Sequence, residues 1–230
     1  MCGRFTQMFS GGEVHAILDL DGPERELQPR YNLAPDQDAA VVRDDAGGRR
    51  LSMLRWGLIP AWAKKPDIGY RLINARAETA AEKPSFRAAF SNRRCIIPAS
   101  GFYEWRLEGT VRQPWYVTRQ DGEPMGFAGL WESWRVPEGM ALSGSLAGRR
   151  SNDAVETFTV LTTEANDTMK PLHHRMPVIL PPETIGPWLS GDDVDLGPAA
   201  EDLLMMHRVS RAMNSPRNDS PECVIPLSSP

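Results

Sequence analysis

Residues 94–107 read RCIIPASGFYEWRL, which is two β-type runs in succession. Cys95-Ile96-Ile97 is short and apolar, as expected of a buried strand, and the stretch from Gly101 to Leu107 mixes aromatic and polar side chains. Many short strands with few long helices need closure to hide their edges. The chain is therefore predicted to be α+β, with a bent, barrel-like antiparallel β-sheet core and a few short flanking helices. Further runs of this kind occur at 115–118, 126–131 and 157–162.

Helices and one hairpin are predicted outside these runs. Apolar residues at helical spacing indicate a helix over 13–20, Ser85 is expected to cap a helix ending near residue 91, and Pro182 opens a helix toward residue 189. Two strands are predicted at 39–42 and 51–56, and the turn-rich loop between them is predicted at 44–48.

Residues 1–230 are expected to form one domain, because the length and the 41% hydrophobic content allow a sizeable single core. Residues 136–153 are rich in glycine and serine, a composition typical of flexible connections. This segment is predicted to be a flexible insertion between two strands.

The sequence lacks the markers of several classes of protein. The first thirty residues interrupt their apolar residues with charges, unlike a signal peptide, and no later apolar run reaches membrane-spanning length, so a cytoplasmic protein is expected. Cys2, Cys95 and Cys223 are odd in number and have no C-x-x-C spacing, which argues against a disulfide framework and a structural zinc site. Phosphate-binding and dinucleotide-binding glycine motifs are also missing from the sequence, so no cofactor is expected.

Charge is segregated along the chain, although the formal net charge is only −4. Residues 43–94 contain twelve Lys and Arg and five Asp and Glu, a local charge of +7, whereas residues 176–207 contain six acids and no Lys or Arg. One basic region on an acidic protein permits a local phosphate-binding surface. The alternative, that these charges are solvated and not clustered in space, stays open at this point.

Cys2 has unusual latent chemistry. Removal of Met1 would leave a free α-amine and a thiol on the same residue. The amine can attack an aldehyde, and the thiolate can then close onto the imine carbon to form a five-membered thiazolidine. The alternative is an ordinary, disordered and inert N-terminus.

Two further candidate sites lie in strand-like segments. Asn74 and Arg76 stand two residues apart, so on extended backbone they project to the same face. Glu104 is a lone carboxylate among aromatic residues in 101–105, where burial would raise its pKa and suit it to proton transfer near neutral pH. An exposed glutamate on the outer face of a strand is the open alternative.

Histidines and tryptophans supply the remaining candidates. His173 and His174 are adjacent, so on extended backbone they are expected to point opposite ways, which leaves one to face a site and argues against chelation of one metal by both. Such a histidine can transfer protons, or it is simply a surface residue. Trp56 and Trp62 lie in the basic region, and aromatic faces interleaved with cations are what a groove for single-stranded nucleic acid requires. A place in the core is the alternative for both tryptophans.

A series of motifs resembles the SOS-response-associated peptidase (SRAP) family, whose members sense abasic sites and crosslink themselves to DNA. The resemblance covers nearly the whole chain and leaves out the predicted insertion. The motifs are CGRF (2–5), RYNLAP (30–35), WGLIP (56–60), INARAE (73–78), GFYEW (101–105), HHRMP (173–177) and VSRAMN (209–214).

The resemblance implies a reaction and a role for each matching residue. Met1 is removed, and Cys2 reacts through amine and thiol with the ring-opened aldehyde of an abasic site in single-stranded DNA. Asn74 orients the adduct, Glu104 moves protons during imine and ring formation, and His173 assists opening of the sugar ring and the reversal or elimination steps. The implied phosphate ligands are Arg4, Arg76 and Arg175, and the residues implied to stack on or wedge beside bases are Trp56 and Trp62.

Two rival functions share parts of this picture. Cys2 could instead be the nucleophile of an N-terminal-cysteine peptidase or amidohydrolase, with its own α-amine as base. The chain could also be a non-covalent module that binds single-stranded DNA. The resemblance further implies a monomer that acts in the cytoplasm on nucleoid DNA, with AP-lyase and autopeptidase activities and no membrane or cofactor partner.

Overall fold

The computed structural model describes residues 2–45 and 48–227. Within these ranges it has thirteen β-strands and four α-helices. The strands are β1 (Phe5–Gln7), β2 (Arg30–Leu33), β3 (Asp38–Asp45), β4 (Gly48–Trp56), β5 (Asn74–Arg76), β6 (Arg94–Ala99), β7 (Gly101–Glu108), β8 (Val111–Arg119), β9 (Met125–Arg135), β10 (Ala154–Glu164), β11 (Arg175–Pro177), β12 (Ile179–Leu180) and β13 (Leu204–Arg208). The α-helices are α1 (Gly11–Leu18), α2 (Ala77–Ala80), α3 (Arg87–Asn92) and α4 (Pro182–Ser190).

Five strands close into a barrel, which confirms the predicted fold class. The order is β10, β4, β3, β6 and β9, and β9 pairs again with β10 to complete the ring. Closure leaves the ring without free edges, as the many short strands require. The predicted antiparallel pairing does not hold at two places, because β10 runs parallel to β4 and to β5.

A second, antiparallel sheet covers one side of the barrel, in the order β13, β8, β7, β1 and β2. Aromatic residues fill the space between the two layers. Phe5 on β1 lies 4.9 Å from the ring of Trp56 on β4, edge to face, and Phe102 on β7 lies 5.8 Å from Phe127 on β9. These contacts fix the positions of β1 and β7 on the barrel. The positions of Cys2, just before β1, and of Glu104, in β7, depend on them.

The helices follow local capping signals with small shifts from their predicted bounds. Ser10 caps α1, and Glu13 completes a capping box, so the helix begins two residues before the predicted start. Phe86 stands at the N-cap of α3 without a side-chain bond, so the prediction that Ser85 caps this helix is wrong. The helix predicted from Pro182 is α4. The predicted strand pair is β3 and β4, and residues 46 and 47 of its loop lie outside the described residues.

The segment predicted to be a flexible insertion makes contacts with the barrel, and its flexibility stays a prediction. Leu146 is buried in a small cluster with Ile59, Trp134 and Val155. The hydroxyl of Ser145 donates to Asp36, so the loop is also held by a polar contact. Among the described helices, none is long and apolar enough to cross a membrane.

Candidate active site

Glu104 lies in the middle of β7, between β1 and β8, and is 3% exposed. Burial raises the pKa of its carboxyl group. A carboxyl group that loses water in this way holds its proton toward neutral pH and can then exchange it with a reacting group. The structure therefore gives Glu104 the buried environment that the sequence left open.

Cys2 precedes β1 and is fully buried. The N–H of Tyr103 donates to the carbonyl of Arg4 at 3.0 Å, which holds the chain start along β7. Burial raises the pKa of the Cys2 thiol, and the negative charge of Glu104 raises it further. Cys2 and Glu104 are therefore electrostatic neighbours, and the thiol carries its proton at neutral pH. Met1, whose removal was predicted, lies outside the described residues.

Asn74 reaches the same place from the barrel. It opens β5, which pairs with β10 beside Val160. Its side-chain Nδ2 donates to the carbonyl oxygen of Cys2 at 2.8 Å. Its Oδ1 is buried and has no hydrogen-bond partner within residues 2–45 and 48–227. The amide thus holds Cys2 through one atom and keeps a second, acceptor atom beside it.

His173 lies between β10 and β11, and its tautomer is fixed by its neighbour. The backbone N–H of Arg175 points at Nδ1 of His173 at 2.9 Å. Nδ1 also lies 3.3 Å from the carbonyl oxygen of Arg175. A backbone N–H can only donate and makes the shorter contact, so Nδ1 is assigned as the acceptor and the proton of the neutral ring to Nε2. Burial lowers the pKa of His173 to about 4, and nearby positive charge adds to the effect. The ring is neutral at physiological pH.

A pocket of about 430 Å³ brings these elements together. Its volume lies within the usual range for ligand sites. Glu104 and His173 both line this pocket. Cys2 is next to Glu104 electrostatically, and Asn74 is hydrogen-bonded to Cys2. The lining residues are Glu104, Trp105, Arg112, His173 and Asn214.

Arg112 and Asn214 also line the pocket, although the sequence alone did not identify either as a site residue. Trp105 Nε1 donates to Oδ1 of Asn214 at 2.8 Å, which ties the C-terminal segment to β7. Arg112 is exposed on β8, and its charge opposes the rise in the pKa of Glu104. Nothing in the local sequence marks Arg112, because its proximity to Glu104 arises from the pairing of β7 with β8.

The three predicted phosphate ligands differ in their surroundings. Arg4 donates to Oδ1 of Asn32 at 3.0 Å and to the carbonyl of Met213 at 3.2 Å, so it also braces the C-terminal segment. Arg76 is exposed on β5. Arg175 is 7% exposed and donates to both carboxylate oxygens of Glu78 at 2.6 and 2.8 Å. A phosphate contact by Arg175 would therefore have to displace Glu78, and all three roles stay predictions.

The two predicted DNA-stacking tryptophans have opposite environments. Trp56 is 1% exposed and stacks on Phe158, with centroids 6.2 Å apart and planes at 12°. This burial contradicts the predicted role of Trp56, because a ring without an exposed face cannot receive a base. Trp62 is 59% exposed, so its stacking role stays a prediction.

The pKa of His173 leads to a test of its environment. We expect the ring to titrate near pH 4, below its value of 6.5 in the unfolded chain. The unfolded chain then takes up the proton first, so the free energy of unfolding falls as the pH drops from 6.5 through 4 and is insensitive to this group above that window. NMR titration of the ring signal, assigned with His173→Gln, measures this. A midpoint near 6.5 would contradict it.

Three comparisons place the chain among known proteins. The family model described as SOS response associated peptidase (SRAP) matches residues 1–216. Abasic site processing protein YoqW of Bacillus subtilis is 42% identical over 97% of this chain and 99% of its own length. Abasic site processing protein YedK of Escherichia coli is 31% identical, over 99% and 100%. An X-ray structure from Bacteroides thetaiotaomicron has a TM-score of 0.84 and 24% identity, covering 99% of this chain and all of the other, which supports the fold.

Proposed function

The chain belongs to the SOS response associated peptidase family, and we propose that it captures abasic sites in single-stranded DNA as a covalent thiazolidine adduct of Cys2, formed after Met1 is removed. The observation that carries this proposal is the meeting of Cys2, Asn74 and Glu104 beside a pocket that His173 lines. The names of the relatives, abasic site processing proteins, support the lesion as substrate. Lyase and autopeptidase activity, a monomeric state and action on nucleoid DNA in the cytoplasm belong to the same proposal.

The first step is attack of the α-amine of Cys2 on the aldehyde carbon of the open sugar. The product is a carbinolamine, whose hydroxyl must leave as water to give an iminium ion. Protonated Glu104 supplies the proton for that water, which its raised pKa permits. Oδ1 of Asn74, buried and without a partner in the described chain, is suited to accept a hydrogen bond from the nitrogen.

Ring closure makes the adduct durable. The thiol sulfur bonds to the iminium carbon, and its proton passes to the Glu104 carboxylate, which returns the carboxyl group to its starting state. The net reaction joins aldehyde and aminothiol and releases one water. The raised pKa of the Cys2 thiol means that a base must take the proton at this step, and the neighbouring carboxylate is that base.

His173 acts before the covalent steps in this proposal. The abasic sugar is mainly a closed hemiacetal, which must open before the amine can react. The neutral ring carries its proton on Nε2 and can donate a hydrogen bond to a sugar oxygen as the ring opens. The 2.9 Å contact from the Arg175 N–H to Nδ1 is shorter than the 3.3 Å contact from Nδ1 to the Arg175 carbonyl, and it favours this tautomer.

The test is to block and then free the same α-amine. A cleavable peptide placed directly before Cys2 should leave the folded protein unable to form an adduct with abasic single-stranded DNA. Cleavage that exposes Cys2 as the first residue should restore an adduct that resists heat and denaturant, seen on a denaturing gel, because an amide nitrogen is not a nucleophile and a free amine is.

The controls separate the rival functions. Intact-mass analysis of active protein should show the loss of one methionine. An equally strong adduct from the blocked protein would contradict the proposal. Turnover of peptide substrates without an adduct would favour the peptidase, and salt-sensitive binding without an adduct would favour the non-covalent module.

A further inference from the structure

Arg175 and Glu78 form a bidentate ion pair across two elements. The Arg175 side chain is 9% exposed, and its Nη1 and Nη2 donate to the two carboxylate oxygens of Glu78. Nη2 also donates to the carbonyl of Thr162. Two parallel bonds set the direction of the guanidinium as well as its position. The pKa of Glu78 is held below its usual range by these bonds, so the carboxylate is charged at neutral pH.

The pair joins the two segments that carry Asn74 and His173. Glu78 lies in α2, directly after β5, and Asn74 is the first residue of β5. Arg175 is the first residue of β11, two positions after His173. One ion pair therefore connects β5, whose Asn74 binds the Cys2 carbonyl, with the loop before β11, whose His173 lines the pocket.

The backbone of Arg175 also sets the chemistry of His173. Its N–H, 2.9 Å from Nδ1, keeps the proton of the neutral ring on Nε2. The side chain of the same residue is fixed by Glu78 and Thr162. Loss of the Glu78 charge would leave a buried guanidinium without its counter-charge, and such a group moves toward water if it can. Arg175 is the end residue of the β10–β11 pairing, where the ladder holds the backbone least, so a displaced guanidinium can draw its N–H away from His173.

We propose that Glu78 is a positioning residue for His173: its ion pair with Arg175 holds the Arg175 N–H against Nδ1 and thereby keeps the ring proton on Nε2. Glu78 does not touch the reacting atoms in this role. The kinetic consequence rests on the proposed function, whereas the tautomer of His173 does not.

The test compares Glu78→Gln with a matched control. Arg43 and Glu156 form a similar bidentate pair, with bonds of 2.7 and 3.0 Å, between β3 and β10. Glu156→Gln therefore removes the same kind of charge away from the pocket. ¹⁵N NMR of the His173 ring should show Nδ1 unprotonated in the wild type and in Glu156→Gln, and a shift of Nδ1 toward the protonated position in Glu78→Gln.

Kinetics supply the second readout. Glu78→Gln should slow capture of a natural abasic site by about tenfold to a hundredfold, the usual effect of a misplaced catalytic group. Capture of DNA that carries an open-chain aldehyde unable to cyclise should be nearly unchanged, because no ring needs to open. Glu78→Asp keeps the charge and should fall between wild type and Glu78→Gln in both measurements.

Three results would overturn the inference: an unchanged Nδ1 signal in Glu78→Gln, an equal loss in Glu156→Gln, or equal slowing for the cyclic and open aldehydes. If Glu78→Gln does not fold, Glu78→Asp decides alone, and a wild-type Nδ1 signal together with wild-type kinetics in that variant would overturn it. A wild type that forms no adduct defeats the proposed function, while the NMR comparison still tests Glu78.

Discussion

Cys2→Ala is expected to reduce the heat- and denaturant-stable DNA adduct to background while leaving an imine that borohydride can trap. The variant keeps the free α-amine, so attack on the aldehyde and loss of water still occur. It has no sulfur to close onto the iminium carbon, and an open imine returns to amine and aldehyde in water. The readout is a denaturing gel of abasic single-stranded DNA with protein, run with and without borohydride.

Cys95→Ala is the matched control for that result. Cys95 is also a fully buried free thiol, and burial raises its pKa as it does for Cys2. Each substitution should cost on the order of 1 kcal/mol of stability, which thermal unfolding measures. Only the change at Cys2 should remove the stable adduct. A stable adduct from Cys2→Ala without borohydride, or its loss in Cys95→Ala, would contradict the thiazolidine mechanism.

The sequence was sufficient to predict most strands of the two sheets, but it was not sufficient to predict which strands pair with each other. Local patterns such as Cys95-Ile96-Ile97 and the aromatic run in β7 mark strands because burial and alternation are local properties. The parallel pairing of β10 with β4 depends on where a distant segment returns, and no local residue encodes it. Leu146 shows the same limit: one apolar residue anchors a segment whose composition indicates flexibility.

The site residues illustrate a second limit. Motif order identified Cys2 and Glu104 as candidates, yet their proximity follows only from the packing of β1 on β7. Trp56 and Trp62 stand six residues apart in one basic region, and only the fold separates the buried ring from the exposed one. The sequence could not predict which of these side chains are buried. Burial raises the pKa of Glu104 and prevents Trp56 from stacking on a base.

Glu104→Gln should slow thiazolidine formation by roughly 10²- to 10⁴-fold, the usual contribution of a positioned acid or base. Glutamine keeps the size and hydrogen-bonding shape of the side chain, but it cannot give a proton to the leaving water or take one from the thiol. Stopped-time gel assays of adduct formation with abasic single-stranded DNA measure the rate. A free α-amine should not restore the rate in this variant, because the missing group is the acid and base and not the nucleophile.

The same variant should be more stable than the wild type at neutral and alkaline pH. The pKa of Glu104 is higher in the folded protein than its ordinary 4.5, so the folded state binds the proton more tightly and loses stability as the pH rises above that value. A neutral glutamine removes this pH-dependent loss. Glu132→Gln is the control: Glu132 is 6% exposed but paired with Arg93 at 2.7 Å, so neutralising it should destabilise the fold and leave the rate intact. A fast Glu104→Gln variant would show that another group moves these protons, and a slow but destabilised one would show that the carboxylate serves the fold.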